Sequence, residues 1–521
     1  MKRYFNVAGP CFPQSHYMIE AGRRLSGEVF SLIDGNQYFV IHAARQSGKT
    51  TLLLNLTERL NREGKYYALY CSLERVQDII DPEKGIPAII GCLKTALRVS
   101  GIPGRKDFAK EIGDSNYTGI LIDSLSDFCH SLDRPLVIFF DEADCLSEGT
   151  LISFLRQLRN GYNTRAIAPF VHSLALVGMR NIRDFKARVR PDSETLGSAS
   201  PFNVVTKAMT LRNFSAEEVV ELYAQHTADT GQVFEPAAAA LAWQQTQGQP
   251  WLVNAIAREI VKEMLQDDYS QAVTESHVEQ AIQNIILRRD THIDSLLERL
   301  KEPRVQRIIE PMMLGEERQL ENLSNDYRYV LDLGLIRNDR TTTEPANPIY
   351  AEVIARTLSY SSQEALKSDV YPYRMSRYFR NGRIDMDFLL RDFQEFWREN
   401  SAIWAERFDY KEAAPHLILM AFLQRIINGG GKIIREMAAE RRRLDLCLEY
   451  EGLRYPIELK LLRGDKTYPE GVRQLSAYMD SLGCSEGWLV VFDRRDSVDW
   501  KSKIFTREEK VDGKNIRIVG C

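Results

Sequence analysis

The sequence lacks the features that would point to a membrane protein, an exported protein or a zinc scaffold. No apolar run approaches the ~18 residues that a spanning helix needs, and the N-terminus, MKRYFNVAGPCFPQ, has no apolar signal-peptide core. The eight cysteines are scattered and form no CxxC pair, which argues against a structural zinc site and against a disulfide framework. We therefore expect a cytoplasmic protein with no membrane partner.

A strong excess of one charge is also missing. The net charge of −4 gives no global basic field, so any contact with nucleic acid would have to be local. The apolar content of 44% and the charged content of 27% are ordinary for globular proteins. A chain of 521 residues is too long for one core, and its length predicts roughly three or four domains.

The sequence does contain a phosphate-binding loop, in the stretch YFVIHAARQSGKTTLLLNLTERL at 38–60. The run YFVIH predicts a buried strand, and TTLLLNLTERLNREG predicts a helix that ends at Gly64. In this setting Gly48 is small enough for the backbone to approach the phosphates. Lys49 reaches the β- and γ-phosphates, and the Thr50 hydroxyl ligates Mg²⁺. The residues expected to bind the nucleotide are Ala43, Ala44, Arg45, Gln46, Ser47, Gly48, Lys49, Thr50 and Thr51.

Ala43 stands where such loops usually begin with glycine. Because alanine is the smallest departure from glycine and this position only starts the loop, we expect nucleotide binding to survive. The alternative is a chance GKT in a turn, which the flanking strand and helix disfavour.

The stretch RPLVIFFDEADCL at 134–146 supplies the second half of a nucleotide site. Its continuous apolar run is typical of a parallel strand that is covered on both faces. Asp141 would hold the magnesium shell, and Glu142 would polarise the attacking water. A buried strand with an acidic exit is the alternative interpretation.

Three further apolar runs, at 66–72, 172–181 and 203–211, bring the predicted strands to five. Because helical segments alternate with them, the pattern predicts a doubly wound parallel sheet with its ligand at the carboxyl ends of the strands. Arg180 or Asn181, at the end of the run at 172–181, would reach the γ-phosphate.

These motifs resemble the AAA+ and STAND branch of the P-loop ATPases over residues 1–290. The resemblance extends to TQGQPWLVNAI, where Gly248-Gln249-Pro250 looks like the GxP element with which a helical lid approaches the adenine. It implies ATP and Mg²⁺ as cofactors, Pro250 as a cofactor-binding residue and Arg180 or Asn181 as the first sensor. Arg183, Arg188 and Arg190 are candidate arginine fingers, with a solvated basic stretch as the alternative.

The middle of the chain is predicted to be mainly helical. Ser215 and Glu218 form a capping-box pattern, and the layout at about 300–358 resembles a winged-helix domain. Asp326 and Asp332 make its recognition helix a poor match for DNA phosphates, so we expect a packing or regulatory role. Arginines interleave with aromatics at 360–383, and this composition suits contact with single-stranded nucleic acid or packing between domains.

The stretch RRRLDLCLEYEGLRYPIELKLLR at 441–463 predicts a β-hairpin. A two-residue turn at Glu451-Gly452 sets a register in which paired residue numbers sum to 903. Asp445 then faces Glu458, with Lys460 two residues along on the same side of the strand. Two facing carboxylates repel unless a divalent cation lies between them, so the pattern indicates a magnesium site with a neighbouring lysine.

The order of predicted elements at about 411–495, αβββαβ, together with Asp445 and Glu458-x-Lys460, resembles the PD-(D/E)XK nuclease superfamily. The resemblance implies Asp445 and Glu458 as metal ligands and Lys460 as the catalytic lysine, with Glu412 as a further acid and Gln474 as an orienting residue. Leu444 stands where the family name has proline. The alternative is an amphipathic hairpin with a solvated polar face.

We therefore predict an α/β chain with a parallel-sheet P-loop ATPase core, a helical lid, a winged-helix domain and a C-terminal αβββαβ PD-(D/E)XK-like domain. The predicted limits are 1–212 for the core, 213–295 for the lid, 296–360 for the winged helix, 361–410 for a linker and 411–521 for the nuclease-like domain. The expected function is an ATPase that controls Mg²⁺-dependent cleavage of nucleic acid, with homo-oligomerisation through the ATPase module. The alternatives are a nucleotide-gated STAND-like scaffold with a non-catalytic C-terminal domain, and an ATP-driven remodeller of nucleic acid.

Overall fold

The computed structural model describes residues 2–25, 27–104, 108, 117–179, 204–288, 291–313, 325–339, 342–354, 378–380, 382–407, 414–427, 432–436, 445–462, 464, 466–493, 495 and 498–521. The chain divides into two compact units, Met1–His292 with Arg328–Leu335, and Ile293–Tyr327 with Ile336–Cys521. Among the described residues, no helix is both long enough and apolar enough to cross a membrane.

A parallel sheet forms the centre of the first unit. Over the described residues it has five strands in the order β2-β3-β4-β1-β5, and every neighbouring pair is parallel. This confirms the five-stranded parallel sheet predicted from the sequence. The strands are β1 Tyr38–His42, β2 Tyr67–Ser72, β3 Leu136–Asp141, β4 Ser173–Gly178 and β5 Val205–Thr210.

Helices cover both faces of this sheet, because alternate residues of its central strands point to opposite sides. Ile138 and Phe140 of β3 belong to one apolar cluster, and Val137 and Phe139 belong to the other. The helices that pack here are α1 Glu28–Asp34, α2 Lys49–Glu63, α3 Pro82–Val99, α4 Ile120–His130 and α5 Glu148–Thr164.

A helical segment follows the sheet. The predicted capping box is confirmed, since the Ser215 side chain accepts from the Glu218 N–H and the Glu218 carboxylate accepts from the Ser215 N–H. The elements are α6 Ala216–Thr230, α7 Pro236–Thr246, α8 Pro250–Arg258, a π-helical segment Glu259–Met264, and α9 Glu275–Arg288.

The described part of residues 291–354 contains helices and a strand pair, in the order that the sequence predicted. The assignment of a winged helix stays a prediction. The elements are α10 Thr291–Leu300, α11 Pro303–Met313, α12 Asn325–Asp332, the antiparallel strands β6 Ile336–Asp339 and β7 Thr342–Pro345, and a helical turn at 348–354.

A mixed sheet forms the centre of the C-terminal region. Over the described residues it has the strand order β10-β11-β12-β13-β15-β14, with parallel pairing for β12 with β13 and for β13 with β15. The predicted αβββαβ order of elements is present, and the terminal hairpin β14–β15 was not anticipated. The strands are β8 Phe379–Arg380, β9 Arg383–Ile384, β10 Lys432–Glu436, β11 Asp445–Tyr450, β12 Leu453–Leu461, β13 Glu486–Phe492, β14 Phe505–Val511 and β15 Lys514–Gly520, and the helices are α13 Met386–Arg407, α14 Ala414–Ile427, α15 Thr467–Leu482 and α16 Trp500–Lys503.

The hairpin formed by β11 and β12 has the predicted register. Its described pairs run from Tyr450 with Leu453 to Leu446 with Ile457, and in each pair the residue numbers sum to 903. Extended by one position, this register predicts that Asp445 lies opposite Glu458.

The structure differs from the predicted linker at residues 386–407, because these residues form α13. Phe393 and Trp397 on this helix are buried and pack against Phe492 of β13, with ring centroids 6.1 and 5.4 Å apart. The linker prediction followed the polar and charged composition around 360–383, and it missed the apolar residues that helical spacing brings to one side of α13.

Candidate functional site

The phosphate loop joins β1 to α2 with the backbone that the motif requires. Gly48 has φ 86°, in the left-handed region, and it directly precedes Lys49, the first residue of α2. The Lys49 ammonium donates to the carbonyl oxygens of Ala43 and Ala44, both at 2.9 Å. The side chain of Lys49 is therefore folded back along the loop and is 7% exposed.

Ala43 occupies a position where the backbone does not need glycine. It is not among the residues with positive φ, and its methyl group lies in the apolar cluster beneath α2, with 4% exposure. The carbonyl of Ala43, and not its side chain, meets Lys49. An alanine therefore fits here without strain.

The carboxylate of Asp141 lies at the centre of the site and is almost fully buried, with 1% exposure. Its Oδ2 atom accepts hydrogen bonds from the Thr50 hydroxyl at 2.8 Å and from the Tyr70 hydroxyl at 3.1 Å. Its Oδ1 atom accepts from the backbone N–H of Glu142 at 3.0 Å. The end of β3 is thus joined to the start of α2 through the Thr50–Asp141 contact.

Several acidic side chains lie close together at the carboxyl end of β3. Burial raises the pKa of Glu142, and the neighbouring charges of Asp141 and Asp144 raise it further, while Lys49 opposes them. Burial lowers the pKa of Lys49, against the opposing effect of the three acids. Burial, followed by Asp141, raises the pKa of Tyr70, so this hydroxyl is a hydrogen-bond donor near neutral pH.

The predicted GxP element meets the phosphate loop. Gly248 has φ +69°, and a Cβ atom at this position would lie 1.9 Å from the Phe214 carbonyl oxygen. Gln249 caps α8 by accepting from the Leu252 N–H at 2.7 Å, and its amide donates to the Gln46 carbonyl at 3.5 Å. Pro250 begins α8 and is buried.

Two further segments support the loop. The Arg24 guanidinium is buried and donates to the Ser47 carbonyl at 2.7 Å and to the Arg212 carbonyl at 2.9 Å. Burial lowers the pKa of Arg24 to about 10. The backbone N–H of Cys11 donates to the Thr51 hydroxyl at 2.9 Å, which joins the N-terminal segment to α2.

Several predicted site residues lie outside the described residues. They are Arg180, Asn181, Arg183, Arg188, Arg190 and Glu412. The backbone of Asp445 is described as the first residue of β11, but its side chain is not.

The C-terminal region contains a buried ion pair at the predicted position. The Lys460 ammonium lies 2.7 Å from Glu458 Oε1, and the two side chains are 13% and 1% exposed, respectively. His416 of α14 is also buried, and burial, followed by the charge of Lys460, lowers its pKa to about 3. Glu458 and Cys447 of this hairpin are both buried. The alternative of an amphipathic hairpin with a solvated polar face is therefore wrong at these positions.

Comparison with known proteins identifies the family. A family model described as "AAA-like domain" matches residues 31–355, which is more than half of the chain. The chain belongs to the AAA-like domain family. The five-stranded parallel sheet and the Walker-type loop of the first unit are those of a P-loop ATPase-like nucleotide-binding fold.

Three solved structures are similar to this AAA-like protein at low identity. A Walker-type ATPase of Pyrococcus abyssi is 14% identical, with 67% of this chain and 99% of that chain covered and a TM-score of 0.45. The RuvB Holliday junction branch migration motor of Thermotoga maritima is 14% identical, with coverages of 64% and 93% and a TM-score of 0.34. Cdc6p from Pyrobaculum aerophilum is 12% identical, with coverages of 62% and 88% and a TM-score of 0.34.

The assignment therefore rests on the family match, since identities and TM-scores this low carry no functional argument. No curated protein matched the sequence.

Sequence reasoning missed Arg24, Tyr70 and Asp144 in the first unit. Asp144 accepts from the Met179 N–H at 3.0 Å and so joins the turn after β3 to the end of β4. The DEAD tetrapeptide at 141–144 was a visible signal for Asp144. Tyr70 and Arg24 had no local signal, because their roles depend on which strands and segments lie side by side.

Proposed function

We propose that the AAA-like domain binds ATP with Mg²⁺ at the phosphate loop and hydrolyses it. The Thr50–Asp141 hydrogen bond of 2.8 Å carries this proposal. It brings a hydroxyl and a carboxylate together at the start of α2, and these oxygen groups are the ligand types that Mg²⁺ prefers. The residues present therefore fit this cofactor.

Each side chain has a role in this proposal. The loop backbone and the N-terminus of α2 bind the phosphates, and the Lys49 ammonium exchanges its two carbonyl partners for phosphate oxygens. Bound Mg²⁺ neutralises charge on the phosphates. Glu142 accepts a proton from the attacking water, and its raised pKa suits a general base. Pro250 and Arg180 are retained as nucleotide-binding residues, with Pro250 on the helical lid.

Titration calorimetry with Mg-ATP tests this function. Lys49→Ala removes a charged donor to phosphate, so we expect an affinity loss on the order of 10- to 100-fold. Ala43→Gly is the matched control, because the backbone of Ala43 does not require glycine, and it should bind nearly as the wild type does. A wild-type protein that binds no nucleotide would overturn the proposal.

The proposal extends to the C-terminal region as a metal-dependent nuclease under control of the nucleotide state, with nucleic acid as the substrate. The buried Glu458–Lys460 pair favours it over the solvated-face alternative. Burying an ion pair is costly unless its environment compensates, so stability alone gives little reason to keep this pair buried on an interior strand. The hairpin register and the αβββαβ order support the resemblance to PD-(D/E)XK nucleases.

In this arrangement Asp445 and Glu458 would hold Mg²⁺, with Glu412 as a further ligand. The bound metal supplies positive charge to a scissile phosphate. Lys460 holds its ammonium beside Glu458 and contributes a second positive charge. The alternative, a nucleotide-gated scaffold, keeps the same fold but has no cleavage activity.

Melting curves and cleavage assays on plasmid and single-stranded substrates, with Mg²⁺ or Mn²⁺ and with or without ATP, separate these functions. Asp445→Ala should lose both the metal-dependent rise in melting temperature and the cleavage. Lys460→Ala should keep the metal effect and lose cleavage. Glu449→Ala, which removes a carboxylate from the same strand near the turn, should behave as the wild type. If neither metal changes the melting temperature of the wild type and it cuts no substrate, the nuclease proposal is wrong and the nucleotide-gated scaffold remains.

A further inference from the structure

We propose that Tyr70 is a positioning residue for the metal shell of the nucleotide site. Its hydroxyl holds the Asp141 carboxylate in the orientation in which that group serves Mg²⁺. This inference rests on the proposed Mg-ATP function, and it concerns a residue outside both the phosphate loop and the acidic stretch at 141–144.

The hydrogen bonds of Asp141 single out Tyr70. Three donors meet this carboxylate among the described residues: the Glu142 N–H, the Thr50 hydroxyl and the Tyr70 hydroxyl. The first belongs to the backbone next to Asp141, and the second belongs to a proposed Mg²⁺ ligand. Tyr70 is the donor that comes from another element and has no ligand role of its own.

The position of Tyr70 is set by the sheet and not by the phosphate loop. In the parallel pairing of β2 with β3, Tyr70 lies opposite Phe139, and Ser72 lies opposite Asp141. The ring of Tyr70 packs against the apolar cluster that contains Phe139 and Leu53. Its hydroxyl is therefore held at a fixed height beside the carboxyl end of β3.

This rigidity matters when a metal binds. The Thr50 oxygen must then turn a lone pair towards the ion, which constrains the direction of its proton. Asp141 still needs a defined rotamer, and the Tyr70 contact supplies one from the neighbouring strand β2. Hydrogen-bond partners of this kind typically contribute 10- to 100-fold to metal affinity.

The matched pair Tyr70→Phe and Tyr67→Phe tests the inference. Tyr67 lies on the same strand, and its hydroxyl also donates to an aspartate, Asp133, at 2.8 Å, but at the solvent-exposed opposite end of the strand. Both changes remove one hydroxyl oxygen and keep the ring. Mn²⁺ and Mg²⁺ affinity would be measured by calorimetry on the full chain saturated with ADP, and ADP affinity would be measured separately in EDTA.

We expect Tyr70→Phe to weaken metal binding about 10-fold and to leave metal-free ADP binding unchanged. Tyr67→Phe should match the wild type in both titrations. A double-mutant cycle adds a second readout: in an Asp141→Asn background, Tyr70→Phe should have little further effect, because it acts through Asp141.

The possible failures are distinguishable. Equal metal affinity in Tyr70→Phe and the wild type would overturn the inference and leave the proposed function intact. A parallel loss of metal-free ADP binding, or additive effects in the cycle, would mark Tyr70 as a structural residue and also overturn it. A wild type that binds neither ADP nor metal would overturn the proposed function and this inference together.

Discussion

Glu142→Gln separates the chemistry of the nucleotide site from its binding, because it removes a charge and keeps the shape of the side chain. As the proposed base, Glu142 contributes to the proton transfer and not to phosphate binding. We expect single-turnover hydrolysis to slow by a factor on the order of 10²–10⁴, with little change in Mg-ATP affinity.

The same change should stabilise the metal-free protein near neutral pH. Burial and the charges of Asp141 and Asp144 raise the pKa of Glu142 above its ordinary value of 4.5. An acid whose pKa is raised by folding lowers the stability progressively as the pH rises from the ordinary value through the raised one. Glutamine removes this penalty, so its advantage is fully present above the raised pKa and disappears below about pH 4.5.

The size of this gain is modest, because Glu142 is only partly buried and solvent screens its charge. Interactions of partly exposed charges typically contribute a few tenths to about 1 kcal/mol, and we expect a gain within this range. In a domain of this size such a gain raises the melting temperature by roughly 1–3 °C. The increase should be absent at low pH.

Three measurements on one preparation check this prediction: Mg-ATP calorimetry, single-turnover hydrolysis, and melting curves in EDTA at neutral and acidic pH. Glu58→Gln is the control, since Glu58 is exposed on α2 and lies about two helical turns beyond the loop. The reasoning would be refuted if Glu142→Gln lost affinity in step with hydrolysis, or if its melting temperature fell at neutral pH.

Two further predictions concern residues that stabilise the two units, Gly248 in the first and Trp397 in the second. Gly248→Ala places a Cβ atom 1.9 Å from the Phe214 carbonyl oxygen. We therefore expect at least about 2 kcal/mol of destabilisation and weaker Mg-ATP binding in calorimetry. The control, Gly231→Ala, has φ +80° but open space around it, so it should lower the stability by only about 1 kcal/mol and leave binding unchanged. Trp397→Ala removes a buried ring from α13 and should lower the stability by roughly 3–5 kcal/mol in denaturant unfolding, whereas a loss under about 0.5 kcal/mol would mean that this segment is a linker after all.

The sequence predicted those features of the fold that depend on local periodicity and turn chemistry. The five strands of the first sheet, the C-cap at Gly64 and the capping box at Ser215 are present as predicted. The register of the β11–β12 hairpin followed from a two-residue turn, because such a turn leaves one pairing available.

Features that depend on which elements become neighbours could not be predicted in this way. The sheet order puts β2 beside β3, and only this adjacency brings the Tyr70 hydroxyl to Asp141. Arg24 precedes β1 without any motif, yet the fold places it against the Ser47 carbonyl. The helix α13 was hidden because its aromatic residues find their partner, Phe492, about a hundred residues later in the chain.

In its backbone conformation, the unusual residue of the phosphate loop is Gln46 and not Ala43. Ala43 departs from the motif but adopts an ordinary backbone, whereas Gln46 has φ 56°, in the left-handed region that side chains disfavour. A conformation of this kind costs on the order of 1–3 kcal/mol and persists only when its surroundings hold it. Here the Gln46 carbonyl accepts from Gln249, and its side chain contacts His292, which stacks on Trp251. Within the first unit, Gln249 at the start of α8 and His292 of α10 therefore hold the strained residue of the loop, so displacing these two side chains would remove contacts that keep the loop in its present shape.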